Sequence, residues 1–307
     1  MSAFIPTLRG AFLFLSQQKN LRHWMETSPV AHSLTSRFIA GLHLEDAVRV
    51  ASDLQRSDIL TSLDYLGENV SRPDEAAEAR DAYLAAIRTV YPLQGTVSMK
   101  VTALGLDVSE ELCLANTDAL VRLACDTGSR VEMDMEDSSY TDRNLKIVHE
   151  MHNRHRSGVR AVIQAYLYRS EEDIRGLCER KIPVRLCKGA YKEPESIAFP
   201  KKADVDANYL KLMRILFDHG TYPAIATHDD AMLDAALAYV RERRIRADAF
   251  EFQMLYGVRR DLQAHVVKEG FRLRLYVPYG AAWYPYFMRR LAERPANVWF
   301  VAKSLFQ

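Results

Sequence analysis

The chain has 307 residues, 48% of them hydrophobic and 26% charged, with 41 basic side chains against 40 acidic ones. That is ample apolar material for a large core and rules out intrinsic disorder. A formal charge of +1 leaves no positive excess to neutralise a nucleic-acid backbone, so polynucleotide binding is a poor expectation. Cys113, Cys125, Cys178 and Cys187 show no CxxC and no zinc-ligand spacing, and are read as reduced, buried thiols of a cytosolic protein. The apolar patch Ala11 to Leu15 is too short for a signal-peptide core, and no run reaches the roughly 18 residues of a membrane span. The expected location is the cytoplasm, with at most peripheral contact at the inner face of the cell membrane.

The first 56 residues are expected to form a helical arm, with Ile5, Leu8, Phe12 and Leu15 on one stripe and Leu44, Val48 and Ala51 on another. Eight β-prone runs follow: Ile59 to Leu66, Thr96 to Leu104, Arg130 to Met135, Val159 to Leu167, Ile182 to Cys187, Pro223 to Thr227, Ala249 to Leu255 and Phe271 to Val277. Helix-length amphipathic segments separate them: Arg72 to Thr89, Ser109 to Cys125, Asp142 to His155, Glu171 to Arg180, Asp206 to His219, Asp230 to Arg244, Arg260 to Lys268, and finally Ala282 to Glu293. Strict alternation calls for parallel strands joined by crossover helices, and eight units close a (β/α)8 barrel over residues 57–307. An open doubly wound sheet is the alternative, but its cofactor sites usually carry a glycine-rich turn. Here no two glycines lie closer than ten positions, and neither GxGxxG nor a P-loop occurs.

Active sites of such barrels lie at the C-terminal strand ends. Those positions hold Glu68, Lys100, Asp134 with Glu136, Gln164 with Tyr166, Arg185 with Lys188, Thr227 with His228, Gln253 with Tyr256, and Tyr276. A single such residue is more often a structural ion pair; eight coincident cases favour function, because so many charges at a barrel centre cost several kcal/mol unless they pair or bind something. The mixture of Lys100, Arg185 and Lys188 with Asp134 and Glu136 suits an anionic ligand, and it does not match the two dominant carboxylates of a glycosidase.

A metal-dependent barrel hydrolase is one competing reading. His149, Glu150, His152 and His155 are its best candidates, but HExH is not HExxH, and the cluster falls near the end of an outer helix. No metal is expected. A non-enzymatic amino-acid-binding module is the other. In the last helix, Tyr286, Arg289, Arg290 and Glu293 share one polar stripe while Trp283, Phe287 and Leu291 share another side. An adjacent arginine pair beside a tyrosine can clamp a planar carboxylate.

Taken together, these residues resemble the proline dehydrogenase family, whose members use FAD in a distorted (β/α)8 barrel. The resemblance runs through LGE at Leu66 to Glu68, Lys100, MDMED at Met133 to Asp137, VIQAY at Val162 to Tyr166 and VRLCKGAY at Val184 to Tyr191. It continues with ATHD at Ala226 to Asp229, FEFQMLYG at Phe250 to Gly257, LYVPYG at Leu275 to Gly280 and YPYFMRRLAE at Tyr284 to Glu293. It implies oxidation of L-proline to 1-pyrroline-5-carboxylate. Arg289 and Arg290, helped by Lys100, would hold the proline carboxylate, with Tyr276, Tyr286 and Leu255 around its ring. Asp134 would order this group, and Arg185 would face the flavin near its reactive nitrogen. Gln164, Lys188, Gly189, Ala190, Tyr191, Thr227, His228 and Glu293 match cofactor-binding positions, and Glu68 matches an acid that pairs with Arg289 as a gate. The resemblance further implies a membrane quinone as electron acceptor and a separate pyrroline-5-carboxylate/glutamate-semialdehyde dehydrogenase to take the product. Lys192 departs from the large bifunctional relatives, which carry an aromatic there, and the segment between Tyr276 and Tyr286 is shorter than theirs.

Overall fold

A computed structural model of the chain describes residues 35–67 and 70–293, the side chains of residues 289–293 excepted. The expected stripe of Ile5, Leu8, Phe12 and Leu15 therefore lies outside the described residues. Helix α1 (Leu44–Gln55) lies against the barrel, with Ala47 and Ala51 buried and Leu44 and Val48 packed on the core.

Eight parallel strands follow: β1 (Ile59–Tyr65), β2 (Thr96–Met99), β3 (Val131–Met133), β4 (Val159–Gln164), β5 (Val184–Cys187), β6 (Ala224–Ala226), β7 (Glu251–Leu255) and β8 (Leu273–Tyr279). They pair in sequence order, and β1 closes the barrel on β8 over seven residue pairs from Ile59–Leu273 to Tyr65–Tyr279. Helices connect them in turn: α2 (Pro73–Val90), α3 (Glu110–Thr127), α4 (Thr141–His155), α5 (Ser170–Glu179), α6 (Lys202–His219), α7 (Asp230–Glu242) and α8 (Arg260–Lys268). The last, α9 (Trp283–Glu293), follows β8. This is the (β/α)8 architecture expected from the alternation.

Local chemistry sets the helix ends. Pro73 opens α2, where its missing N–H costs nothing. Ser109 Oγ accepts the Leu112 N–H at the start of α3, and Gly128, at φ +71°, ends it in the left-handed region. Asp229 caps α7 through the Ala231 N–H. Several strands are shorter than their expected runs, and for β2 and β4 the cause is visible. Val101 to Leu104 turn into a 3-10 helix after β2, because Glu136 takes both the amide and the hydroxyl of Thr102 at 3.2 and 2.7 Å. β4 stops at Gln164, whose carbonyl receives the Ser170 hydroxyl at the head of α5. Helix α6 begins four residues before the expected Asp206, at Lys202, and its first turn already packs Val205 on the core.

Outward-facing strand residues such as Val97, Met99, Val131, Met133, Ile163 and Leu275 are buried beneath the helices. That burial, at about 25 cal/mol per Å² of apolar surface, drives the two layers together. The strand interiors are polar, in contrast to the branched aliphatic layers that usually fill such barrels. Among the described residues, no helix is long and apolar enough to cross a membrane. Cys113 is buried, whereas Cys125, Cys178 and Cys187 are partly covered; all four are free thiols.

Candidate active site

The interior is built in layers because alternate residues of a strand point to the same side. The lowest polar layer is Thr96, Glu132, Arg160, Glu251 and Arg274. Glu132 accepts hydrogen bonds from Thr96 Oγ1 at 2.8 Å and Arg160 Nη1 at 3.2 Å. Glu251 accepts from Arg160 Nη1 at 2.6 Å and Arg274 Nε at 2.9 Å. Gln253 reaches across from β7 and donates to both acids, at 3.0 Å to Glu132 and 2.7 Å to Glu251. Two carboxylates and two guanidinium groups thus neutralise one another where water is excluded, which is the condition for burying them. Despite burial, the facing arginines hold the Glu132 carboxyl down at about 2 and that of Glu251 well below the ordinary carboxylate range.

Arg185, on β5, sits one layer higher. Its guanidinium donates to Asp134, to Ser98 Oγ at 3.2 Å and to Gln253 Oε1 at 3.2 Å, and lies 3.3 Å from Glu132. Tyr276, on β8, presents its hydroxyl to the other oxygen of Asp134 at 2.9 Å, and its ring centroid is 5.5 Å from the Arg185 guanidinium carbon. Burial, with the Asp64 carboxylate nearby, raises the Tyr276 phenol well above its ordinary value, so it remains a neutral donor. Asp134 is anchored through its own backbone to Met99 O and Asn144 Nδ2, both at 2.8 Å.

The mouth lies above this pair. Tyr286 is buried in an apolar cluster with Phe38, Ile39, Leu66, Trp283 and Phe287, against which Leu255 and Tyr276 pack. Tyr286 is therefore a wall of this pocket as well as a member of the helix's polar stripe. Lys100 follows β2 directly, half-buried, at the start of the 3-10 turn held by Glu136. On the opposite rim, Gln164 donates to Met135 O at 3.0 Å and Glu136 O at 2.9 Å, which uses both its N–H groups and leaves Oε1 as an acceptor, met by Ala190 N–H at 3.3 Å. His228 Nε2 accepts the Leu255 N–H at 2.8 Å, so the neutral ring carries its proton on Nδ1. Lys188 pairs with Asp206 and, at 2.8 Å, Asp229, which is held down at about 2 by burial-opposing contacts from Lys188 and Lys202. Thr227 Oγ1 accepts the Asp229 N–H at 3.1 Å. Gly189 takes φ +113°, and a Cβ there would come within 2.3 Å of the Tyr166 ring; only glycine lets the Gly189–Tyr191 segment cross that tyrosine so closely.

Glu68 and the side chains of Arg289, Arg290 and Glu293 lie outside the described residues. The remaining expected site residues gather at the C-terminal mouth. The histidine cluster does not: it rides on α4, where Glu150 pairs with Arg154 at 2.8 Å and His155 with Asp118 at 3.0 Å. Sequence reasoning overlooked the floor formed by Glu132, Arg160, Glu251 and Arg274. Its signal was present as the alternation Glu132, Asp134; Glu251, Gln253; Arg274, Tyr276 along single strands.

The rim fits a flavin. Such a ring system offers an imide N–H and several acceptor atoms, and it meets an acceptor in Gln164 Oε1 and donors in Arg185 and His228.

A closed parallel barrel with a charge-paired polar floor, an apolar side pocket and a flavin-compatible rim is the frame of a (β/α)8 redox enzyme. The sequence model of the proline dehydrogenase family matches residues 47–303. Proline dehydrogenase 1 of Bacillus subtilis is 41% identical over 302 residues, covering 98% of this chain and 99% of that protein. Proline dehydrogenase of Deinococcus radiodurans is 39% identical over 287 residues, covering 90% and 91% of the two chains. Among solved structures, proline utilization A from Bdellovibrio bacteriovorus, inactivated by N-propargylglycine, superposes with a TM-score of 0.79 at 28% identity over 86% of this chain and 33% of its own. The chain belongs to the proline dehydrogenase family, which oxidises proline in a flavin-dependent reaction.

Proposed function

We propose that the flavin is FAD, that it lies across the barrel mouth above Arg185, and that proline binds between it and the pocket of Tyr276, Tyr286 and Leu255. The observation that carries this reading is the double role of Tyr276. Its ring lines the apolar pocket, while its hydroxyl holds Asp134, which holds Arg185. A small ring compound seated there touches the apolar wall and the charged floor at once, which is the orientation needed for transfer between adjacent atoms.

A bound flavin would supply the acceptor for the hydride leaving the proline ring carbon beside nitrogen, and loss of the nitrogen's proton would complete the C=N bond of 1-pyrroline-5-carboxylate. The chain's own residues position and tune. Arg289, Arg290 and Lys100 clamp the substrate carboxylate, and Tyr276, Tyr286 and Leu255 fix the ring and exclude water. Arg185 places positive charge where reduction of the cofactor adds negative charge. Gln164, Lys188, Gly189, Ala190, Tyr191, Thr227, His228 and Glu293 hold the cofactor. Glu68 closes over the bound substrate by pairing with Arg289. Residues 1–56 act as a helical arm to the barrel of 57–307, with α9 capping its mouth. Electrons pass to a membrane quinone during peripheral contact of a cytoplasmic enzyme, and the product goes to a separate dehydrogenase.

Cofactor released by heat from the purified holoprotein tests the first step: FAD by chromatography and mass is expected, and FMN would overturn it. Proline-dependent reduction of a soluble ubiquinone analogue tests the acceptor; electron delivery to NAD with none to quinone would reverse that assignment.

A further inference from the structure

The Arg185 guanidinium lies between two carboxylates, and only the upper one, Asp134, stands at the mouth. The lower one is Glu132, two residues earlier on the same face of β3 and fully buried. We propose that Glu132 is a positioning residue of the redox reaction: acting through Arg185, it fixes that guanidinium from below and sets how much positive charge reaches the cofactor. The inference rests on the reading that Arg185 faces the flavin.

Three observations carry it. First, Glu132 Oε2 is 3.3 Å from Arg185 Nη1, so it touches the group that would touch the cofactor. Secondly, Glu132 cannot follow Arg185 if that side chain moves, because Thr96, Arg160 and Gln253 all donate to it from other strands. A carboxylate tied to three strands of a closed barrel is a fixed point of charge, which is what preorganised electrostatics requires. Thirdly, the charges balance in a particular way. Glu132 and Glu251 match Arg160 and Arg274 below, and Asp134 matches Arg185 above; removing the Glu132 charge shifts this set of groups beneath the mouth by one unit in the positive direction. A purely structural acid would need only the lower contacts. The 3.3 Å approach joins the two layers and makes the floor part of the site.

The test is the midpoint potential of the bound flavin, measured by anaerobic dye-coupled titration of the holoenzyme. Glu132→Gln keeps the shape and removes the charge. It is expected to favour the reduced cofactor by about tenfold, a positive shift of about 30 mV for a two-electron couple. Glu132→Asp, which keeps the charge but withdraws it by one methylene, is expected to shift the same way by about threefold, and serves if the first variant does not fold. Thr96→Val removes one of the three bonds to Glu132, on the oxygen remote from Arg185, and should lower the melting temperature while moving the potential much less than Glu132→Gln does. Arg185→Met should move the potential in the negative direction. An unshifted potential in folded, flavin-loaded Glu132→Gln, or in Glu132→Asp where only that variant folds, overturns the proposal. So does a Thr96→Val shift as large as that of the glutamate variant. An unshifted potential in Arg185→Met instead shows that Arg185 does not face the flavin, which removes the underlying reading.

Discussion

Tyr276→Phe isolates one hydrogen bond in the site. The substitution keeps the ring that packs in the apolar pocket with Tyr286 and Leu255, and deletes only the hydroxyl that donates to Asp134 at 2.9 Å. A hydrogen bond to a charged partner contributes about 1.5–3 kcal/mol, and the loss falls on a half-buried carboxylate whose other oxygen stays with Arg185. If the Tyr276–Asp134–Arg185 chain orients the guanidinium, kcat/KM for proline should fall by about tenfold to a hundredfold, with flavin content unchanged. Tyr276→Ser, which removes the ring as well, should raise KM further. Anaerobic stopped-flow reduction across proline concentrations separates the two effects. Because Tyr276 stays neutral, the defect should not vary with pH between 6 and 9, a range taken as roughly that of ordinary assays. A double-mutant cycle with Asp134→Asn should show strong non-additivity, since both changes break the same chain. A Tyr276→Phe enzyme with wild-type kcat/KM would refute the orienting role and leave the tyrosine as a wall.

Other outcomes follow from the same geometry. Glu251→Gln leaves Arg160 and Arg274 with one fewer anion where water cannot enter; it should cost about 3–5 kcal/mol, a fall of about 5–8 °C in melting temperature at roughly 2.1 cal/mol/K of unfolding entropy per residue. Glu132 is held at about 2, below its unfolded value, so its contribution is complete above the ordinary carboxylate range and is lost as pH falls towards 2. Urea midpoints should accordingly drop on acidification, and less steeply in Glu132→Gln. Gly189→Ala forces a Cβ into the Tyr166 ring from a left-handed backbone, so flavin retention should fall while the barrel's circular dichroism persists. Arg290→Met should weaken proline binding about tenfold to a hundredfold and spare flavin retention; unchanged proline kinetics would falsify its clamp role.

The barrel was legible because its signal is redundant. Eight alternations of strand and helix need no knowledge of pairing, and parallel closure in sequence order follows from them. The rim was legible through the residue types at strand ends, where Asp134, Arg185 and Tyr276 indeed meet. The floor was not, because Glu132 and Arg160 read one at a time as ordinary strand charges. Their meaning depends on which strands face each other across the barrel, as β3 and β7 do through Gln253 and Glu132. The end of β2 is hidden from the sequence for a related reason. The apolar run Val101 to Leu104 resembles a strand continuation, and it turns because a distant acid, Glu136, takes the Thr102 amide. Tyr286 shares its helical period with Arg289 and Arg290, yet Phe38 and Leu66, distant in the chain, bury it in an apolar cluster.

The central claim is that proline delivers its electrons to a flavin seated over Asp134 and Arg185, and rapid anaerobic mixing of the purified yellow holoprotein with L-proline tests it most directly. The expected result is stoichiometric bleaching of the oxidised flavin band with formation of 1-pyrroline-5-carboxylate, slowed at least tenfold in Arg185→Met at equal flavin content. A flavin band that proline leaves unchanged, or bleaching at the wild-type rate in Arg185→Met, would contradict it.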